Sequence, residues 1–177
     1  MNVEMLKPFV EGAAEVLEFE VKTKVEKGNL SLQKTALTTD EVTVMLTLVG
    51  DVRGVVLFSL SKEVSLKMVS RILEQEFHEL DSMAQSGIAE LGNVITGKAT
   101  VKLSKAGYRV NISPPTVITG KDVKISTLDF SRIVVPLETE MGTMEIHLAV
   151  RENKHNQTTV EDNFSSPVEE SVILQKA

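Results

Sequence analysis

An α+β domain built on a largely antiparallel sheet is the fold class that this sequence predicts, and three observations predict it. Two stretches, "EVTVMLTLVGDVRGVVLFSL" at 41–60 and "RIVVPLETEMGTMEIHLAV" at 132–150, each hold two apolar runs around turn residues, the pattern of a hairpin. The helical stretches are grouped and do not alternate one for one with strands, which argues against a parallel sheet. The 177 residues suit one domain of about 150 residues, able to bury roughly 68–70% of its unfolded surface, plus a short appendage.

The elements follow in order. Pro8 has no amide hydrogen to lose and so fits an early helical turn, after which Phe9, Ala13, Val16 and Leu17 recur as one apolar stripe. From Phe19 to about Leu37 the pattern is short and β-like. In the first hairpin Gly50, Asp51 and Gly54 supply the turn residues, and Val42, Val44, Leu46 and Leu48 mark one buried face. The denser run from Val55 to Phe58, closing at Leu60, predicts a strand near the middle of the sheet. Ser61 then caps a helix over 62–75, with Val64, Met68, Ile72 and Leu73 at helical spacing. A further helix runs from Leu80 or Asp81 towards Gly107. Residues 108–125 read as strand and turn, and the second hairpin carries Pro136, which lacks a ladder donor and suggests an edge strand. The core pattern ends at Val150, so a domain over 1–151 is followed by a polar tail over 152–177. Within the tail Ser166, Pro167 and Glu169 have capping-box spacing ahead of Val172, Ile173 and Leu174. The alternatives there are a short closing helix and a plain solvated chain.

Composition removes several classes of function. A formal charge of −6 offers no basic stripe for a phosphate backbone, and one Tyr with no Trp gives no stacking platform, so nucleic acid is not an expected partner. Without cysteine there is neither thiolate chemistry nor a disulfide. His78, His147 and His155 show no metal-ligand spacing, and no Ser, His and Asp set is suggested. Glu4, Lys7, Pro8 and Glu11 interrupt what a signal peptide would need as an apolar run, and no later stretch approaches a membrane span. The expectation is a cytoplasmic protein with no membrane association.

The stretch "SGIAELGNVITGKAT" at 86–100 holds two competing signals. From Gly92 it reads Gly-x-x-x-x-Gly-Lys-Ala, a P-loop in which Ala99 replaces the hydroxyl that would hold magnesium, with no strand ahead to launch the loop. It matches a P-loop by chance. At ~100° per residue Ala84, Gly87, Ile88, Leu91, Val94 and Ile95 fall in one core-facing arc, so the stretch continues a helix. On the same wheel Ser86, Glu90, Asn93 and Gly97 share a second arc about 60° wide, pointing away from the core. Small neighbours, Ala89, Gly92 and Thr96, leave the pair Glu90 and Asn93 unscreened. Three glycines in one helix, each costing roughly 1 kcal/mol relative to alanine, signal close backbone approach, and Lys98 inside the apolar arc suggests a bend or rotation after Gly97.

Ser86-x-x-x-Glu90-x-x-Asn93, with Pro114 and Pro115 about twenty residues on, resembles the signature of the CheC, CheX and FliY group of chemotaxis phosphatases. The "GDVRG" hairpin, the capped helix after it and then the motif helix also resemble this family, over roughly residues 1–150. Where CheC-like members carry a second motif on the first helix, this chain has Glu11 followed by Ala14 in place of Asn, so one site remains and CheX is the closer match.

The resemblance implies a CheC-like fold and a substrate, the phosphoaspartate of a CheY-like response regulator receiver, which itself holds Mg2+; no cofactor of the chain's own is expected. It implies Asn93 as the residue that positions the attacking water and Glu90 as the partner of the receiver's lysine, a positioning residue and not a base. It also implies a homodimer. The competing reading is a non-catalytic module that docks a phosphorylated receiver or a flagellar switch component; the presence of both Glu90 and Asn93 favours the enzyme. Because the core pattern stops at Val150, deleting residues 155–177 is expected to leave folding and the basal reaction intact. Denaturant unfolding of the truncated chain checks this, and a markedly lower midpoint would show the tail packed into the domain.

Overall fold

The computed structural model describes residues 5–34, 37–38, 40–126 and 131–153; the expected tail helix near Ser166 lies outside them. Helix α1 (Lys7–Phe19) starts with Pro8 in its first turn. Three short strands follow, β1 (Val25–Lys27), β2 (Ser31–Gln33) and β3 (Leu37–Thr38), and then the hairpin of β4 (Val42–Gly50) and β5 (Val52–Leu60). Helices α2 (Lys62–Ile72) and α3 (Ser82–Lys105) come next, then β6 (Val110–Ile112), β7 (Thr116–Thr119), β8 (Lys124–Ile125), β9 (Arg132–Thr139) and β10 (Gly142–Glu152). The main sheet runs β1-β9-β10-β5-β4-β6, with β2 also on β9 and β7 also on β4; β3 and β8 pair separately. All these pairings are antiparallel.

Alternation along the strands explains why one face of this sheet receives the helices. Val42, Val44, Leu46 and Leu48 of β4, Val56, Phe58 and Leu60 of β5 and Met144, Ile146, Leu148 and Val150 of β10 are all buried in one cluster. Phe9, Ala13, Val16 and Leu17 from α1, Val64 and Met68 from α2, and Ile88, Leu91 and Ile95 from α3 complete it. Each large aliphatic or aromatic side chain moved from water into such a core contributes about 1.5–3 kcal/mol. The expected stripes on α1 and β4 and the central place of β5 are therefore realised. The predicted Ser61 cap forms, its Oγ accepting from the Val64 amide at 3.1 Å, and α3 has a cap of its own in Asp81, whose Oδ1 accepts from the Ala84 amide at 2.8 Å.

Three local expectations are corrected. Helix α2 ends at Ile72 and not near residue 75, because Glu74 takes a left-handed backbone (φ 51°), and Leu73, expected in the apolar stripe, is the 40%-exposed C-cap. Gly54 belongs to β5 and not to the turn. Its φ is 144°, and a Cβ there would overlap the Ala149 carbonyl oxygen of β10. Nor is β9 an edge strand. Between the pairs Lys27↔Leu137 and Ser31↔Val134, the outer chain has three residues, Gly28, Asn29 and Leu30, against two on β9, Val135 and Pro136. The outer strand bulges where Pro136 cannot donate, while the Gly28 amide still reaches the Pro136 carbonyl at 2.9 Å.

Gly54→Ala combines a disfavoured backbone angle with a clash against backbone atoms that cannot turn aside. It is expected to destabilise the domain by about 2–4 kcal/mol, read as a lower denaturant midpoint at unchanged slope.

Candidate functional site

The stretch that could have been a P-loop is the middle of one unbroken α-helix, α3, so Gly92 and Gly97 form no phosphate cradle. Helix α3 lies against the rest of the molecule on three sides, and its glycines show how closely. A Cβ on Gly87 would overlap Val69 Cγ2 of α2, and one on Gly92 would stand 2.8 Å from Val44 Cγ1 and 3.2 Å from Phe58 Cδ2 of the sheet. From the third side Gly12 of α1 approaches, where a Cβ would stand 3.2 Å from the Ile95 carbonyl oxygen. Thr96 is also buried, and its hydroxyl donates to the Gly92 carbonyl at 2.8 Å. Gly92 and Thr96 therefore face the sheet and do not flank the outward pair, contrary to the reading of them as its small neighbours. Of the three glycines in α3, Gly97 alone has nothing within 4 Å of a built Cβ.

On the outward side Glu90 is exposed and Asn93, one turn on, is half-buried. The Asn93 carboxamide donates through Nδ2 to Glu90 Oε2 at 3.3 Å, so the two side chains project together as the wheel predicts. That bond orients the amide and leaves its Oδ1 and second N–H for an incoming group. Ser86, one turn earlier and also exposed, donates back to the Ser82 carbonyl at 2.8 Å. Helix α3 continues without a break past Gly97 to Lys105, and Lys98 pairs with Glu15 of α1 at 3.8 Å.

Pro114 and Pro115 sit where the edge of β4 changes partner. Between Leu48↔Ile112 and Met45↔Thr116, β4 has two residues, Leu46 and Thr47, and the opposing chain three, Ser113, Pro114 and Pro115. The Ser113 amide donates to the Thr47 carbonyl at 2.9 Å and the Thr47 amide to Ser113 Oγ at 3.0 Å, so the extra residue falls on the prolines, a bulge that needs no amide donor there. The bulge leads into Val117, which pairs with Val44, the residue beneath Gly92. Spacing alone could flag these prolines but not their place opposite β4.

Helix α1 uses its acidic residues differently. Glu11 pairs with Lys7 at 3.7 Å and Lys102 at 3.4 Å, and Glu15 takes Lys102 at 2.7 Å. The Lys102 bond holds the Glu15 carboxyl below its ordinary range, and the bond to Glu15 holds the Lys102 ammonium above its own. At the place of a second motif, Glu11 is thus part of the α1–α3 contact, beside Ala14.

Among the described residues no group of three His, Asp or Glu side chains converges as a metal site. His78 is exposed near Glu76, His147 is buried with Nε2 3.1 Å from Glu145, and His155 lies outside the described residues. No helix among the described residues is long and apolar enough to cross a membrane. Glu90 and Asn93 thus set one carboxylate and one carboxamide side by side on the outward face of α3.

Comparison with known proteins gives a consistent picture. Residues 42–138, which include α3, match the family model described as chemotaxis phosphatase CheX. A relative from Thermotoga maritima, CheY-P phosphatase CheX, is 37% identical over 106 residues, covering 58% of this chain and 66% of that protein. A CheC-like superfamily protein from Shewanella superposes with a TM-score of 0.78 at 25% identity, over 85% of this chain and 99% of that one. The CheX in a CheX–CheY–BeF3–Mg2+ complex from Borrelia burgdorferi superposes with a TM-score of 0.74 at 26% identity, over 85% of this chain and 100% of that one.

Proposed function

This chain belongs to the CheX family of chemotaxis phosphatases, and on that premise we propose that it hydrolyses the phosphoaspartate of a CheY-like receiver in the cytoplasm. The observation that carries the reading is the pairing of Glu90 with Asn93 on the outward face of α3, inside the family-matched region. The relative's name, CheY-P phosphatase, and the complex of a neighbour with CheY support the substrate class.

Hydrolysis of an acyl phosphate needs a water in line with the leaving carboxylate and stabilisation of the charge spread over the phosphoryl oxygens. Water attacks phosphorus, the P–O bond to the aspartyl oxygen breaks, and both water protons leave on inorganic phosphate. The receiver supplies Mg2+ and the phosphoryl group. Asn93 supplies position: its Oδ1 accepts from the water, and its amide can donate to the phosphoryl oxygens, holding the nucleophile about 3 Å from phosphorus. Glu90 supplies registry by meeting the receiver's lysine, a charge-assisted contact that brings Asn93 to the phosphoryl group. The ion pairs that occupy Glu11 support a single site per chain.

We extend the reading to a homodimer. Leu32 of β2 is 61% exposed and the adjoining Leu30 48%, beside a short outer strand that offers backbone groups for pairing. Light scattering at micromolar concentration is expected to give twice the chain mass, and a monomer alone would remove this part of the proposal.

Asn93→Ala is expected to slow receiver dephosphorylation by about 10²–10³, the loss typical of one preorganised donor, and to leave affinity for a beryllofluoride-treated receiver nearly unchanged. Glu90→Ala should weaken that affinity, and Glu90→Lys should weaken it further, because like charges then meet at the receiver's lysine. Stability should stay within about ±0.5 kcal/mol in all three. Phosphate half-life at saturating protein and affinity for the mimic are the measurements. Full activity in Asn93→Ala, or a wild type that binds the mimic without shortening any receiver's half-life, would replace the phosphatase with a binding module.

A further inference from the structure

We propose that Gly97 is a clearance residue: its missing side chain lets the receiver lie against the backbone of α3 one turn beyond Asn93, and so sets how far the carboxamide reaches into the partner. This inference rests on the receiver reading above.

The argument is one of elimination followed by position. A glycine inside a helix weakens it relative to alanine, so each one calls for a reason. Gly87 and Gly92 have theirs in Val69 and in Val44 with Phe58. Gly97 has no such neighbour, since nothing lies within 4 Å of a built Cβ. Nor does its backbone require glycine, for Gly97 is absent from the positive-φ positions and the helix runs on to Lys105, so it is not a C-cap. No internal cause remains, which leaves an external one.

Its position says what that cause is. Gly97 lies four residues beyond Asn93, about 40° around and roughly 6 Å along the axis, and within about 20° of Glu90 on the wheel. The long side chains beside it are drawn elsewhere, Lys98 to Glu15 at 3.8 Å and Lys102 to Glu15 at 2.7 Å, so neither overhangs the gap. One turn further Val101 is 57% exposed, an apolar shoulder at the far side of the gap. Glu90, Asn93, the bare backbone at Gly97 and Val101 form one continuous strip, shaped for a partner surface that touches the helix itself.

The test uses Gly97→Ala and Gly97→Leu in the full chain. Three readouts are needed: thermal unfolding, affinity for a beryllofluoride- and Mg2+-treated CheY-like receiver, and dephosphorylation of the same receiver. Gly97→Ala is expected to raise the unfolding midpoint by about 2–4 °C while weakening the receiver complex, opposite signs that a merely structural role would not produce. Gly97→Leu is expected to weaken the complex roughly tenfold or more and to raise KM more than it lowers kcat. A Gly97→Leu protein that binds within about twofold of a binding-competent wild type overturns the clearance role alone. A wild type that neither binds nor dephosphorylates the receiver overturns the receiver reading, and the clearance role with it.

Discussion

A methyl group on Gly92 would stand 2.8 Å from Val44 and 3.2 Å from Phe58, so α3 rests on β4 and β5 at a distance that glycine alone allows. Much else depends on that seating. With Gly92 on the sheet, Ile88, Leu91 and Ile95 enter the core on one side, and Gly12 of α1 can close on the Ile95 carbonyl from the other. The buried Thr96 hydroxyl finds its acceptor in the Gly92 carbonyl, which removes the penalty of an unpaired polar group under the helix. Once the helix is clamped by α1, α2 and the sheet, its rotation is fixed, and the remaining face can only point outward.

That rotation ties stability to function through adjacent residues. Asn93 follows Gly92 directly and is turned about 100° from it, which carries its carboxamide from the sheet to the rim. Glu90 lies one turn earlier and needs no support from the core to find Asn93, because the spacing of three residues places them side by side at 3.3 Å. The core-facing residues thus aim the pair without touching it.

How much of this the sequence disclosed follows from how local each signal is. The cap at Ser61, the stripe on α1, the buried face of β4 and the outward arc of Glu90 and Asn93 are all signals local to one element, and each is legible. Bulges are not. A proline reports a missing donor, but whether it marks an edge, as expected for Pro136, or faces a bulge depends on the register of a strand about a hundred residues away. Gly54 lies three residues beyond the turn at Asp51, and only the nearness of β10 distinguishes it from a turn glycine. Gly92 and Thr96 were misplaced because the buried arc drifts around α3 as the helix crosses from α2 to the sheet, and a single wheel has no room for that drift.

The chemistry of the site explains why so little of it could be recognised from residue types. A carboxylate and a carboxamide on a solvated helix face are ordinary, and without a metal or a nucleophile beside them nothing marks them as reactive. On the reading proposed above, such a pair becomes chemically competent only when a partner brings the phosphoryl group, the cation and the lysine into register. The specific demand on this chain is therefore geometric: a rigid helix, two side chains at fixed spacing, and enough bare backbone around them for another protein to come close. Close seating explains Gly87 and Gly92, which lie against neighbouring side chains, and the proposed approach of a partner accounts for Gly97, which does not. On that proposal the same residue type serves the fold at two positions of α3 and the partner at the third.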